Sequence, residues 1–363
     1  MLILNNEEIQ QILEMKDCIG AMEIAFRDLA AGKGVNRPRS HTYVPRKGEP
    51  DEDRFYMFKS MDGALTHFGM HGLRISSDMM SEKELEGKRR REKLPVAPGN
   101  KYVGLLLLFS IDTLEPLAIM PEGYLQRMRV GATSAVAAKY FTNPGVKRAG
   151  LIGSGWQAGS QVMGLREVLP ELEEIRVYSI QTQHREAFAR EWTEKLNLRV
   201  VAVDAARDAV QNVDMLALAT NSQVPVLDGS WVGEGCHVNS VQGHEVDKTL
   251  VDRADLIIVR EMSEPTFWVM GDKLPHEVSK RKSLKGGIID PNKVRQLGDV
   301  VAGKVKGRTS AEQITMFSGS GIGGSAGLGT QFVAVGAMIY KRAREKKIGR
   351  EIPTDWFLQE FRP

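Results

Sequence analysis

Residues 146–158, V-K-R-A-G-L-I-G-S-G-W-Q-A, constrain the fold of this chain more than any other stretch. A short apolar run over 149–152 passes directly into Gly153-Ser154-Gly155, and a helical pattern follows over 157–169. That order predicts a strand, a tight turn and a helix. The first glycine permits the sharp turn, the second lets a pyrophosphate approach the backbone, and the small Ala158 lets the helix pack close on the strand. The helix start adds free N–H groups and the positive end of a dipole. Gly153, Ser154, Gly155, Trp156, Gln157 and Ala158 are therefore the expected phosphate cradle.

The unit repeats downstream. Strands are predicted at 175–179, 199–203, 215–220, 237–241 and 256–259, with helices at 184–196 and 206–213. Such alternation buries a parallel sheet between helices. With the glycine turn on its first strand, the expected fold is α/β, a Rossmann-type doubly wound sheet that binds a dinucleotide. The strand after the turn ends at Tyr178-Ser179, without the acid that holds ribose hydroxyls in NAD-selective proteins. Ser179, Gln181, Thr182, His184 and Arg185 stand there instead. Hydroxyls and a cation suit a 2′-phosphate, so NADP(H) is favoured over NAD(H); the other reading makes Arg185 mere decoration of an exposed helix start.

At 363 residues the chain has room for two domains. A net charge of +3 is too small to argue for nucleic acid, and the K-R-R-R run at 88–91 is flanked by glutamates. Cys18 and Cys236 are far apart in sequence, which suggests a reducing compartment and neither a disulfide frame nor a metal site. With no leader pattern and no apolar run of membrane length, a cytoplasmic protein is expected.

Before the turn, Asn5 or Asn6 caps a predicted helix to Leu13, and a second helix covers 16–31. Arg39 follows in V-N-R-P-R-S-H-T-Y-V-P, either a solvated edge or the lining of an anion site. Residues 54–61 and 70–78 read as strands, in which Lys59 and Arg74 supply cations suited to a carboxylate-binding floor. Residues 81–100, charged and closed by Pro and Gly, read as a mobile insertion or exposed arm. A hairpin is predicted from 102–110 and 116–120, then a helix rich in small residues that carries Arg127 and Arg129 toward the dinucleotide. Ser310 with Gln313 resembles a capping box, the glycine-rich run 319–329 is a phosphate cradle or a crossover, and a last helix covers 331–346.

Taken together, R-M-R-V-G-A-T-S-A-V-A-A-K-Y, G-S-G-W-Q-A, A-T-N-S-Q-V-P-V, G-C-H-V-N-S-V-Q-G and G-R-T-S-A-E-Q-I-T-M-F resemble the ornithine cyclodeaminase and mu-crystallin family, which includes archaeal alanine dehydrogenase and imino-acid reductases. The resemblance implies a Rossmann domain, 131–327, inserted in an α+β substrate-binding and dimerisation domain, 1–130 with 328–363, in a homodimer. It implies that Thr220, Asn221, Ser222 and Val241 line the cofactor, that Arg129 meets a substrate carboxylate or cofactor phosphate, and that Arg39 is a substrate arginine. Arg74 sits where many members carry lysine. Two positions depart from the cyclodeaminases: His244 replaces their acid/base aspartate, and Tyr56 falls where they have an acid.

The expected chemistry is hydride transfer between a nicotinamide and an imino or keto acid, with Arg74, Lys59 and Arg39 holding its carboxylate and His244 moving a proton. A redox-neutral ammonia-lyase acting on ornithine and a non-enzymatic NADPH or small-ligand binder are the alternatives. No metal is expected.

Overall fold

From Arg148 onward, apolar strands too short and too continuous to face water on either side demand cover on both faces. In the computed structural model, which describes residues 1–45, 54–85, 88–262, 266–270, 290–318 and 327–360, they form an eight-stranded parallel sheet. Its spatial order is Arg199–Ala202, Glu174–Tyr178, Arg148–Ile152, Met215–Leu218, His237–Ser240, Thr315–Ser318, Leu256–Val259 and Val294–Gln296. Leu151 packs into one apolar cluster with Ala158, Val162 and Phe188, while its neighbour Ile152 packs into another with Ala209 and Leu216. Successive side chains thus serve the two faces, as the strand period requires. Chain order reverses between Arg148–Ile152 and Met215–Leu218, and that switch point opens the crevice where open α/β sheets take ligands.

A second sheet is largely antiparallel. It runs Thr266–Val269, Ser40–Pro45, Arg54–Leu65, Met70–Leu85, Val103–Ser110, Pro116–Pro121, Leu2–Ile3 and Arg350–Glu351. The C-terminal helix Gly329–Lys346 lies on it, with Val333 and Gly336 against Leu106 and Leu108. Helices Met15–Ala30 and Gly123–Phe141 complete the packing, the first beginning after a short helix, Asn6–Ile12, capped by Asn5 and Glu8. Among the described residues no helix is long and apolar enough to cross a membrane.

Three sequence expectations need correction. The segment 131–327 is not wholly in the parallel sheet: Thr266–Val269 returns to pair with Ser40–Tyr43, and the boundary at 131 falls inside helix Gly123–Phe141. The charged stretch after Ser81, expected as a mobile insertion or exposed arm, forms a paired ribbon in its first part. Backbone groups can pair whatever side chains they carry, so strand Met70–Leu85 runs on and Lys88–Leu94 folds back against it, residues 90–94 half-buried. Ser310 and Gln313 cap no helix; the Gln313 side chain instead accepts from the Thr309 and Ser310 amides within a loop. Residues 319–326 of the glycine-rich run lie outside the described residues.

His237 shows how closely the parallel sheet is built. Fully buried, it contacts Thr315 Oγ1 at 2.7 Å and Asn239 Oδ1 at 3.0 Å, and stacks on Phe141. Burial pushes its pKa down to about 3. The unfolded chain binds a proton near pH 6.5 that the folded chain refuses until about 3, so stability falls with pH across that window. The expected loss is up to about 1.4 kcal/mol per unit. Denaturant titrations between pH 7 and 4 should show a shallower loss for His237→Gln than for the wild type; equal slopes would refute this role.

Candidate active site

At the glycine turn, Gly153 has φ +116°, and a Cβ there would collide with the Ala219 carbonyl oxygen. Only glycine takes this backbone in that space. Gly155 differs: a Cβ placed on it meets no atom within 4 Å. It is the N-cap of helix Trp156–Val168, which no side chain caps, while Ala158 is fully buried against the sheet. Ser154 Oγ donates to Ser179 Oγ at 2.8 Å. An open space above uncapped helix amides fits a dinucleotide diphosphate.

After strand Glu174–Tyr178, Arg185 is not surface decoration. It is 6% exposed, donates to the Ser179 carbonyl at 3.1 Å and to Asp204 Oδ1 at 2.8 Å, and lies over Tyr178. It therefore braces the turn after Glu174–Tyr178, beside the exposed Gln181 and Thr182.

Helix Gly123–Phe141 divides its two arginines by geometry. Residues two apart on an α-helix point about 200° apart. Arg127 lies over the Trp156 ring at 3.9 Å, at the start of the turn helix. Arg129 points the other way, 4% exposed, bonded to Gln126 and to Gln331 and stacked over Phe332. The helices approach closely because a Cβ on Gly131 would strike the Ser160 carbonyl oxygen.

The larger sheet supplies the floor. Directly paired residues share a face, and His41 pairs with Lys59, which pairs with Ser76. Arg74 and Asp78 flank Ser76 on that face. Lys59 Nζ lies 3.0 Å from Asp78 Oδ2 with 12% of its side chain exposed, and Lys93 Nζ lies 2.8 Å from Oδ1. Burial alone would raise the Asp78 carboxyl, but the two ammonium groups hold it at about 2. Burial, reinforced by Lys93, lowers Lys59 to about 7 against the attraction of Asp78.

Arg74 departs from its expected use. Its Nε and Nη2 both donate to Glu122, the latter at 2.7 Å, so the bidentate fork is occupied within the protein. Gly104 makes room for the Glu122 side chain. Arg39 precedes strand Ser40–Pro45 within electrostatic reach of Lys59, Arg129 and Arg260. Arg260, which sequence reasoning missed, is 3% exposed at the end of Leu256–Val259, over Phe317. A cation at the carboxyl end of a parallel strand was its available signal.

His244 is the half-buried middle residue of the turn Gly243–Glu245, just past strand His237–Ser240. Its neighbour Glu245, fully buried, accepts from Thr220 N at 2.6 Å, Thr220 Oγ1 at 2.8 Å, Gln242 N at 2.8 Å and Ser240 Oγ at 3.2 Å. Burial raises its pKa while these bonds oppose the rise. Glu245 thus ties together the strand ends carrying Thr220 and Val241, next to His244 in the same turn. The Asn221 carbonyl accepts from Arg91 N at 3.4 Å, and Arg90 bridges Ser222, so the Lys88–Leu94 ribbon reaches across to this loop.

The sequence signature described as the ornithine cyclodeaminase/mu-crystallin family matches residues 1–347. The chain belongs to that family. Alanine dehydrogenase of Archaeoglobus fulgidus is 30% identical over 359 residues, 97% of this chain and 98% of that protein. Among solved structures, Thermococcus litoralis Δ1-pyrroline-2-carboxylate reductase, in complex with NADH and L-proline, superposes with a TM-score of 0.76 at 27% identity, covering 97% of this chain and all of that one. An archaeal alanine dehydrogenase dimer with bound NAD gives 0.75 at 27% identity, covering 97% and 99%.

Proposed function

We propose that the protein is an NAD(P)-dependent oxidoreductase interconverting an imino or keto acid and an amino acid. The observation that carries this reading is the single helix that sets Arg127 against the phosphate-turn helix and Arg129 into the cationic floor. Its family supports the same reading: the relatives are named as an alanine dehydrogenase and a pyrroline-carboxylate reductase.

A bound nicotinamide supplies the hydride. Gly153, Ser154, Gly155, Trp156, Gln157 and Ala158 hold its diphosphate, and Thr220, Asn221, Ser222 and Val241 line it. Arg129 and Arg39 anchor the substrate carboxylate together with Lys59, while Arg74, braced by Glu122, keeps the floor positive. His244 exchanges the proton that accompanies reduction of a C=N bond. NADP(H) is preferred over NAD(H), because S-I-Q-T-Q-H-R over 179–185 contains no acid and leaves the polar Gln181 and Thr182 exposed; Arg185, spent on Asp204 and the Ser179 carbonyl, is not the expected phosphate ligand. Leu105, Leu107 and Phe109 remain half-buried on the outer face of their strand, which suits a homodimer, and the free, buried Cys18 and Cys236 suit the cytoplasm.

The test is a panel of cyclic and acyclic imino acids with NADPH and with NADH, followed by absorbance. Net oxidation is expected, with NADPH bound roughly ten-fold tighter, about 1.4 kcal/mol. His244→Ala should lower kcat by about 100-fold or more and leave cofactor affinity unchanged. Ammonia release from ornithine without net cofactor oxidation would replace this reading with the lyase, and cofactor binding without turnover would replace it with a binder.

A further inference from the structure

The ribbon formed by the end of Met70–Leu85 and by Lys88–Leu94 touches both halves of the site. At one point its backbone meets the Asn221–Ser222 loop through Arg91 and Arg90. At another, Lys93 reaches the carboxylate already paired with Lys59. Two ammonium groups therefore divide one buried carboxylate, one oxygen each, and Ser76 Oγ donates to the Lys59 side at 2.9 Å.

We propose that Lys93 is a positioning residue: by taking the second oxygen of the Asp78 carboxylate that Lys59 also engages, it sets how firmly Lys59 holds a substrate carboxylate. The role of Lys59 as anchor rests on the function proposed above. The coupling between the lysines is independent of that function and rests on the carboxylate they share.

The groups facing Lys59 all come from elements packed around it. Arg39 and His41 stand on or before the first strand, Arg74 and Asp78 on the opposite neighbour, Lys93 on the ribbon, and Glu122 at the start of helix Gly123–Phe141. His41 engages Tyr43 OH at 3.1 Å and lies tilted against the Phe267 ring, while Glu122 is taken by Arg74. Among these charges Lys93, Arg74 and Arg39 disfavour a charged Lys59 and Asp78 favours it. Removing Lys93 must therefore raise the Lys59 pKa, and neutralising Asp78 must lower it.

A carboxylate binds the charged lysine better than the neutral one, so substrate affinity should weaken as pH rises through about 7. The effect belongs in KM, whereas loss of the His244 side chain belongs in kcat. Lys93→Met moves the rise in KM to higher pH by about one unit, and Asp78→Asn moves it lower by a similar amount. Lys59→Arg, which keeps a cation that cannot lose its proton, makes KM flat across the same range.

The experiment is a side-chain NMR titration of 13C-lysine-labelled full-length protein, without substrate, for the wild type, Lys93→Met and Asp78→Asn, with Lys59→Arg assigning the signal. KM and kcat against pH for Δ1-pyrroline-2-carboxylate complete it. A Lys59 midpoint near 7 that moves up in Lys93→Met and down in Asp78→Asn, with KM following, supports the proposal. A wild-type midpoint above about 9, or a midpoint indifferent to Lys93, overturns it. So does a KM profile that ignores a midpoint that has moved. Should Lys93→Met fail to fold, Lys93→Gln, which removes the charge and keeps a polar contact to Asp78, takes its place and is read in the same way. A protein that turns over none of the imino acids refutes the proposed function, while the substrate-free NMR midpoints separately decide the coupling.

Discussion

Gly155→Val is expected to weaken nicotinamide dinucleotide binding by about 100-fold or more, roughly 2.7 kcal/mol, while the protein remains folded. Gly155 has φ −92°, a backbone open to any residue, and nothing lies within 4 Å of its would-be Cβ. The added side chain therefore strains no native contact beyond about 1 kcal/mol of lost capping preference. It fills the space through which a diphosphate reaches the amides at the start of Trp156–Val168. Fluorescence titration with NADPH, beside a thermal melt, separates the two effects. Gly153→Ala is the contrasting control: φ +116° and the Ala219 carbonyl oxygen make it a folding defect. Tight cofactor binding by folded Gly155→Val would remove the turn from the site.

Arg74→Met is expected to cost about 3–5 kcal/mol of stability, because it strands the Glu122 carboxylate in the protein interior. Side-chain exposures of 4% and 9% leave neither partner a solvent alternative. The charge, rather than the lost volume, should dominate. Arg74→Met combined with Glu122→Leu should then recover most of the loss, since an apolar pair of similar size removes the orphaned ion. A double-mutant cycle in denaturant measures the coupling directly. If the single variant loses less than about 1 kcal/mol, the pair is not the brace described here.

The glycine turn and its parallel sheet were legible because their constraints are local. Gly153, Gly155 and Ala158 act within a few residues of one another, and the alternation of strand and helix declares a sheet covered on both faces. The positions of Lys59, Arg74 and Arg129 were legible as cations in otherwise apolar elements, but their employment was not. Arg74 pairs with Glu122, 48 residues away, across strands whose register no local pattern states. Lys93 lay inside a stretch that composition marked as solvated, because charge density carries no information about which backbone groups find partners. Arg185 pairs with Asp204, and Arg260 reaches the site only because its strand lies second from the sheet edge.

What the amino-acid order determined by itself is the glycine turn, the doubly wound sheet behind it and the presence of basic side chains ahead of it. These follow from steric rules and periodicities that operate over one or two turns of chain. Tertiary structure alone decided which cation is spent on an internal acid, which shares a carboxylate with a lysine from an inserted ribbon, and which strand returns from one sheet to the other. Charges interact through space with whatever the fold brings near, and that neighbourhood is set by strand registers tens of residues apart.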